Sequence, residues 1–325
     1  MPKKEAMSAE DFQLKFEAIV TNVEKVIKGK SLPIRLVLTA IIAEGHVLLE
    51  DLPGTGKTML ARAIARTIKA DESRIQCTPD LLPSDITGSS VIDMQTREFT
   101  FRQGPVFTNI LLADEINRAT PKTQSALLEA MQERRVSVDG ITHELPKPFI
   151  LLATQNPIEL AGTFPLPEAQ LDRFLFKVSL GYPEKDAEMQ VLKANYTQEA
   201  IDGLAPICDK EDVLSLQAWC KEVEASDEIQ SYIVDICRAT RDDPSLQLPA
   251  SPRASLALMR ASRVVAASHG REDVIPDDVL MVLQPVLAHR IALTPDAALR
   301  DDTIDKVIER VSSRVKPPLL SGSAA

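Results

Sequence analysis

The feature that most constrains the fold is the segment 46–70, where an apolar run, a glycine-rich turn and a helical pattern follow one another directly. The run HVLLED predicts a buried strand, and MLARAIARTIKA has apolar residues at helical spacing. The turn between them, PGTGKT (53–58), matches the second half of the phosphate-loop pattern G-x-x-x-x-G-K-[ST]. The segment therefore predicts a strand, a phosphate-binding loop and a helix. The alternative is a glycine-rich turn that carries an exposed lysine.

Position 51, where the pattern places its first glycine, is occupied by Asp51. Aspartate adopts left-handed backbone conformations more readily than most residues, so we interpret Asp51 as a replacement for the backbone freedom of glycine. Gly54 and Gly56 are expected to let successive N–H groups curl around a phosphate. Lys57 is placed to reach the outer phosphates, and the hydroxyl of Thr58 to ligate Mg²⁺.

Four further apolar runs predict strands: RIQCT (74–78), NILLADE (109–115), FILLATQN (149–156) and FKVSLGY (176–182). HVLLED, NILLADE and FILLATQN are nearly continuous in apolar residues, which is typical of strands buried on both faces of a parallel sheet. Helical patterns such as TQSALLEAMQERR (123–135) separate the runs. The alternation predicts an α/β fold with a five-stranded parallel sheet.

Two insertions interrupt this alternation, at 90–107 and 135–149, and the second contains Asp139-Gly140, a strong hairpin signal. After residue 183 only helical patterns are found, at 184–197, 211–224, 227–240, 252–269, 276–291 and 302–315. Pro285 is expected to kink or break its helix. We predict an αβα core at 1–182, a helical lid at 183–315 and a flexible tail at 316–325.

Polar residues follow two of the predicted buried strands. Asp114 and Glu115 end NILLADE, and Asn156 ends FILLATQN. Ligands of parallel α/β sheets bind at the carboxyl ends of the strands. We therefore expect Asp114 to hold Mg²⁺ through its water shell and Glu115 to polarise an attacking water. Asn156 is either a turn residue before Pro157 or a group that orients that water or contacts the γ-phosphate.

Three arginines have two interpretations each. Arg173, in LPEAQLDRF, is either an ordinary charge at a helix end or a catalytic finger for a neighbouring subunit. Arg253, in SPRASLALMRASR, is either a helix-start charge or a residue that reaches a nucleotide from the lid. Arg118, in the loop after Glu115, is either a loop charge or a contact across a subunit interface.

The formal charge of −10 opposes non-specific attraction to nucleic acids or to anionic membranes. The four cysteines form no metal-binding spacing, so we expect free, buried thiols in a reducing compartment. The longest apolar run, at 36–43, is too short to span a membrane, and the N-terminal residues lack the apolar segment of a signal peptide. These features predict a cytoplasmic protein.

Taken together, GTGKT, LLADEINRA, FILLATQNP, LPEAQLDRF and SPRASLALMRASR resemble, in this order and spacing, the MoxR family of AAA+ ATPases. The resemblance covers residues 17–314. It implies a five-stranded αβα ATPase core, an all-helical lid and a ring in which nucleotide lies between subunits. It also implies that the insertions are the helix-2 insert and the pre-sensor-1 hairpin of this clade.

Residue by residue, the resemblance implies ATP or ADP contacts at Gly54, Thr55, Gly56, Lys57, Thr58 and Met59, with Val26, Ile27 and Gly29 near adenine. It implies Mg²⁺ held by Thr58 and Asp114. Catalytic roles fall to Glu115, Asn156 as sensor 1, Arg173 as arginine finger and Arg253 as sensor 2.

The function implied is ATP hydrolysis by a homo-oligomeric ring, expected to be a hexamer, that matures or activates client complexes. Relatives of this kind act with partners that contain a von Willebrand factor A domain. Two other functions stay open at this point: a nucleotide-switched binding scaffold with slow hydrolysis, and a nucleic-acid remodelling ATPase. We expect neither nucleic-acid binding nor a membrane span.

Overall fold

The computed structural model describes residues 7–51, 54–92, 94–156, 162–182, 185–186, 188–189 and 198–318. The chain forms two compact units. One comprises 18–174 and 178–214, and the other comprises 1–17, 175–177 and 215–325. The predicted boundary at residue 182 places 1–17 in the core and 183–214 in the lid, whereas the two compact units group these segments the other way. The predicted boundary stays a prediction.

The helices are α1 (Ala9–Glu24), α2 (Ser31–Ile42), α3 (Lys57–Thr67), α4 (Pro83–Thr87), α5 (Pro121–Glu133), α6 (Glu168–Leu171), α7 (Gln198–Asp202), α8 (Lys210–Glu222), α9 (Asp227–Ala239), α10 (Pro252–Ser268), α11 (Pro276–Leu287), α12 (Pro295–Leu299) and α13 (Ile304–Arg314). The strands are β1 (Val47–Glu50), β2 (Glu72–Gln76), β3 (Gly88–Ile92), β4 (Phe99–Gln103), β5 (Ile110–Asp114), β6 (Arg135–Val138), β7 (Ile141–Glu144), β8 (Ile150–Gln155), β9 (Phe176–Val178), β10 (Leu246–Leu248) and β11 (Ala292–Leu293). No helix among the described residues has the length and apolar character needed to cross a membrane.

The five predicted strands form one sheet with the order β2-β5-β8-β1-β9. The pairs β2–β5, β5–β8 and β1–β8 are parallel. All of β5 and the first five residues of β8 are buried, which confirms the burial predicted from their continuous apolar runs. Because β1 and β5 both flank β8, the residues that follow these three strands lie along one edge of the sheet.

Both insertions are antiparallel hairpins, β3–β4 and β6–β7. Asp139 and Gly140 connect β6 to β7 with φ values of 51° and 80°, as expected for an Asp-Gly hairpin turn. The Phe101 ring of β4 stacks on the His143 ring of β7, with centroids 4.0 Å apart. This stack holds the two insertions against each other.

The second unit is built from helices, and its N-terminal Phe12 packs on Trp219 with ring centroids 5.3 Å apart. A short antiparallel pair, β10–β11, also belongs to it. The sequence pattern did not predict this pair, because strands of three and two residues are too short to show periodicity. Pro285 does not break its helix, since α11 continues to Leu287. The predicted helix at 184–197 lies mostly outside the described residues.

An ion-pair cluster around Asp243 links α13 to the segment before β10. The Asp243 side chain is 1% exposed and accepts hydrogen bonds from Arg310 Nε at 3.0 Å and Ser245 N at 3.0 Å. Arg314 adds a longer contact at 3.3 Å, and Arg310 also binds Asp302 at 3.0 Å. The Arg310 guanidinium holds the pKa of Asp243 well below its usual range. We name these residues the Asp243 cluster.

Candidate active site

The glycine-rich loop leads into α3 with two glycines in left-handed conformations, Gly54 at φ 85° and Gly56 at φ 92°. A Cβ at either position would meet no atom of the described residues within 4 Å, so the left-handed backbone conformation is what favours glycine there. Gly56 is the N-cap of α3, and as a glycine it has no side chain with which to cap this helix end. The N–H groups of the first turn are therefore placed to bind an anion, as at other phosphate-binding helix ends.

Asp51 differs from the sequence interpretation, because its backbone is not left-handed. Its buried carboxylate instead accepts hydrogen bonds from Ser179 Oγ at 2.8 Å, Gly181 N at 3.0 Å and Leu180 N. Its backbone carbonyl oxygen accepts a hydrogen bond from Lys57 Nζ at 3.0 Å. Asp51 thus fastens the chain after β9 to the end of β1, and its identity reflects side-chain chemistry.

Thr154 of β8 joins the two acidic residues at the end of β5. Its Oγ1 accepts a hydrogen bond from Glu115 N at 2.8 Å and donates to Asp114 Oδ1 at 3.3 Å. Glu115 has a left-handed backbone, φ 57° and ψ 51°, which costs about 1–2 kcal/mol for a residue other than glycine. The hydrogen bond that Glu115 N donates to Thr154 helps to hold this strained conformation, which turns Glu115 away from the strand direction.

Two side chains of β2 bind the carboxylates of Asp114 and Glu115, which we name the acidic cluster. Arg74 Nε donates to Asp114 Oδ2 at 2.6 Å, and its Nη2 donates to Gln76 Oε1 at 3.1 Å. Gln76 Nε2 donates to Glu115 Oε2 at 3.1 Å, and Arg118 Nη1 binds the same oxygen at 3.0 Å. Both carboxylates are therefore held by cationic or amide donors.

These groups line one cavity of about 340 Å³, open to solvent. Its described lining residues are Gly54, Thr55, Gly56, Lys57, Thr58, Met59, Arg74, Gln76, Asp114, Glu115 and Thr154. The structure thus brings together every loop residue named from the sequence and both acidic residues. Their functional roles stay predictions.

Other predicted site residues do not line this cavity. Asn156 directly follows β8 and is half-buried. Val26 and Ile27 are buried and Gly29 has φ 68°, in the connection between α1 and α2. Arg253 is exposed in the first turn of α10, in the second unit. The roles implied for these residues by the family resemblance also stay predictions.

Arg173 lies in a separate cavity of about 330 Å³. The other lining residues are Ser125, Glu129, Gln132 and Glu133 of α5 and Gln170 of α6. Arg173 Nε and Gln170 Oε1 are buried and have no hydrogen-bond partner within the described part of the chain. Buried polar atoms usually have hydrogen-bond partners. The described part of this chain supplies no acceptor for the Nε of Arg173.

Cys77 lies directly behind the acidic cluster, where its backbone N donates to Asp114 O at 2.9 Å. Burial, with a smaller contribution from the carboxylates of Asp114 and Glu115, raises the pKa of its thiol to about 12. The thiol is therefore neutral at physiological pH and plays no nucleophilic part. All four cysteines are free and buried, as predicted.

The cavity offers a donor set that suits Mg²⁺. Thr58 contributes a hydroxyl and Asp114 a carboxylate, and both line the cavity beside the α3 N-terminus. Mg²⁺ prefers oxygen ligands and is usually held by one or two protein groups together with waters and substrate phosphates. The residues present therefore fit a magnesium–phosphate ligand.

Sequence reasoning missed Arg74, Gln76 and Thr154 as cavity residues. Arg74 and Gln76 lie two apart on β2 and so share one face of the sheet. The signal that could have found them is this spacing in RIQCT, combined with the placement of β2 beside β5. To identify Thr154 from the sequence, the β5–β8 pairing would also have to be known.

Comparison with known proteins gives a consistent result. Residues 46–176 match the family "ATPase family associated with various cellular activities (AAA)", and residues 238–311 match the AAA lid domain. The chain is 50% identical to the uncharacterized protein YeaC of Bacillus subtilis over 92% of this chain and 94% of that protein. It is 42% identical to Chaperone MoxR1 of Mycobacterium tuberculosis, over 97% of this chain and 85% of that protein.

A solved crystal structure of a candidate ATPase from Cytophaga hutchinsonii superposes with a TM-score of 0.90. It is 36% identical, and the match covers 96% of this chain and 97% of that one. The fold, the loop geometry and these relatives agree with the resemblance inferred from the motifs. The chain belongs to the MoxR family of AAA+ ATPases.

Proposed function

We propose that this protein is an ATP-hydrolysing ring motor with a chaperone-like role. The observation that carries the proposal is the single cavity in which the α3 N-terminus, Lys57 and Thr58 face Asp114 and Glu115. The ATPase core would comprise residues 1–182 and the lid 183–315.

In the proposed reaction, the N–H groups around Gly54 and Gly56 and the ammonium of Lys57 bind the β- and γ-phosphates. Thr58 and Asp114 would hold Mg²⁺, which when bound offsets phosphate charge. Asn156 would orient the attacking water.

Glu115 is the proposed general base. Water adds to the γ-phosphorus as the bond to the ADP oxygen breaks, and Glu115 accepts the proton that the water loses. Both hydrogen bonds to its carboxylate engage Oε2. Oε1 has no hydrogen-bond partner among the described residues, which suits it to accept that proton.

The first test measures nucleotide binding and hydrolysis of three variants. Glu115→Gln should bind a fluorescent ATP analogue with Mg²⁺ normally but turn over about 10²–10⁴-fold more slowly, because an amide is not a base. Lys57→Ala should lose affinity itself. Glu309→Gln, an exposed glutamate of α13, is the matched control and should be unchanged. Parental turnover in Glu115→Gln would show that another group is the base.

Assembly into a ring, expected to be a hexamer, is the second part of the proposal. Arg173 is proposed to complete the ATP site of the adjacent subunit. Its position in a cavity of its own, where its Nε has no hydrogen-bond partner among the described residues, supports a role outside its own nucleotide cavity. An arginine finger contributes ~10³–10⁵ to turnover in well-studied phosphoryl transfer. Arg253 would contact the nucleotide from the lid, and Val26, Ile27 and Gly29 would contact adenine.

Mixing two inactive variants tests the finger. Arg173→Ala and Lys57→Ala should each be nearly inactive, but mixed rings contain interfaces with an intact loop and an intact finger, so activity should partly return. Sizing and cross-linking establish that mixed rings form. Continued inactivity in such rings would rule out action in trans.

The partner is proposed to be a von Willebrand factor A domain protein that presents a client complex, in the cytoplasm. The β3–β4 hairpin is the proposed contact, because Ile92, Met94 and Phe99 are exposed apolar side chains on it. Replacing Gln95-Thr96-Arg97 by Gly-Ser-Gly should preserve basal ATPase activity and weaken stimulation by the partner. Loss of nucleotide binding in this variant would contradict the placement.

The two other functions make different predictions. A nucleotide-switched scaffold would bind ATP without appreciable turnover, although it would have little use for both Glu115 and Arg173. A nucleic-acid remodelling ATPase would bind DNA or RNA with strong salt dependence, which the charge of −10 opposes. Filter binding across salt concentrations separates this function from the leading proposal.

A further inference from the structure

Arg74 forms a short ion pair in the nucleotide cavity, 2.6 Å from Nε to Asp114 Oδ2. Through Gln76 the same guanidinium is linked to Glu115, since Arg74 binds Gln76 and Gln76 binds Glu115, each at 3.1 Å. One hydrogen-bonded chain therefore connects a single cation to both carboxylates of the proposed catalytic site.

The pairing of β2 with β5 explains this placement. Gln76 is the register partner of Asp114, and Arg74 precedes it by two residues on the same face. The Asp114 side chain is only 11% exposed, whereas Arg74 is 52% exposed. A carboxylate removed from water needs a compensating charge, and Arg74 provides it from the solvent side.

The oxygens of Asp114 are both engaged by protein donors: Oδ1 by Thr154 Oγ1 and Oδ2 by Arg74 Nε. A metal ion that used this carboxylate would lie within a few ångströms of the guanidinium, and the two positive charges would repel each other. The contact between Arg74 and Asp114 and the binding of a divalent cation at Asp114 therefore oppose one another.

We infer that Arg74 is a positioning residue that substitutes for the metal: it neutralises Asp114 when Mg²⁺ is absent and gives up that contact when Mg²⁺ and nucleotide bind. The inference rests on the proposed function, because it takes Asp114 as a magnesium ligand. It predicts that Arg74 lowers the affinity of the empty site for Mg²⁺ and keeps the two carboxylates in place until nucleotide arrives.

The experiment compares Arg74→Met, Arg74→Gln and Arg74→Lys with the parent protein. Arg62→Met is the matched control. Arg62 of α3 forms an ion pair at 3.3 Å with Glu72, which lies on the same strand as Arg74, but Arg62 does not line the cavity. Dissociation constants of a fluorescent ATP analogue are measured in EDTA and in Mg²⁺. Thermal unfolding is followed with and without Mg²⁺ in the absence of nucleotide.

For Arg74→Met and Arg74→Gln, the ratio of the dissociation constant in EDTA to that in Mg²⁺ should rise about 10-fold, because competition between the cations is removed. Mg²⁺ alone should raise the unfolding temperature of these variants more than that of the parent. Arg74→Lys, which retains the charge, and Arg62→Met should behave as the parent does.

An unchanged ratio would overturn the inference and leave Arg74 with a structural role only. A ratio that falls because binding in Mg²⁺ is lost would also overturn it, and would identify Arg74 as a phosphate ligand. Failure of the proposed function itself is distinguishable, since the parent protein would then bind the analogue no better with Mg²⁺ than without it. Arg74→Gln keeps the test decisive if Arg74→Met does not fold.

Discussion

The nucleotide cavity and the Asp243 cluster both concentrate opposite charges, yet they are built differently. In the cluster the buried Asp243 is surrounded by donors from Arg310, Arg314 and Ser245. In the cavity, α3 begins at Gly56, which has no side chain to cap the helix, and Glu115 has a strained backbone. A fully satisfied cluster stabilises its own unit, whereas a site that binds ligands must keep donors and acceptors unused.

Asp51 sharpens the comparison, because its carbonyl accepts a hydrogen bond from Lys57 of the cavity while its carboxylate is surrounded by donors, as that of Asp243 is. Replacing it with glycine, which the general loop pattern has at this position, should destabilise the protein by about 3 kcal/mol. The reason is that Leu180 N, Gly181 N and Ser179 Oγ would lose a buried anionic acceptor. Chemical denaturation measures the change.

Asp51→Asn keeps one acceptor oxygen and should fall between the parent and Asp51→Gly. A glycine variant as stable as the parent would show that the backbone interpretation from the sequence was the better one.

Thr154→Val tests the opposite behaviour, a loss of function larger than the loss of stability. The valine keeps the shape of threonine but cannot bind Glu115 N or Asp114 Oδ1. We expect turnover to fall about 100-fold because the base loses its fixed position. Steady-state ATPase assays and thermal unfolding are compared in parallel.

Thr142→Val is the control, since its hydroxyl lies on the exposed β6–β7 hairpin and forms a hydrogen bond with Ser137. Equal losses in the two variants would mean that Thr154 has no special part in holding the catalytic groups.

Asp243→Asn should cost the second unit about 2 kcal/mol at pH 7, the smallest of the three effects, because Arg310 and Arg314 keep partial access to water. The folded pKa of Asp243 is lowered by Arg310, so its stabilisation is complete above its unfolded pKa of about 3.9. This stabilisation is lost as the pH falls through the folded pKa.

The difference in unfolding free energy between parent and Asp243→Asn should therefore be constant from pH 7 to about 5 and shrink below about pH 4. Denaturation curves at several pH values measure it. A difference that persists unchanged at pH 2–3 would show that the negative charge of Asp243 does not stabilise the cluster.

Local sequence patterns determined much of the fold. Five short apolar runs predicted the five strands of the sheet, and three of these runs are nearly continuous in apolar residues because burial on both faces leaves few polar positions. Asp139-Gly140 predicted its hairpin because the turn needs two left-handed residues. The loop residues from Gly54 to Met59 and the pair Asp114 and Glu115 were likewise identified from contiguous motifs.

Only the tertiary structure decided the rest, because it depends on partners far apart in the chain. Asp51 is explained by groups about 130 residues away, which no local pattern reveals. Arg74 and Gln76 entered the site because β2 pairs with β5, and Thr154 because β8 does. The short β10–β11 pair forms through contacts between residues 246–248 and 292–293, too few in each strand to leave a periodic signal. Sequence specified which groups can do chemistry, and strand order specified which of them meet.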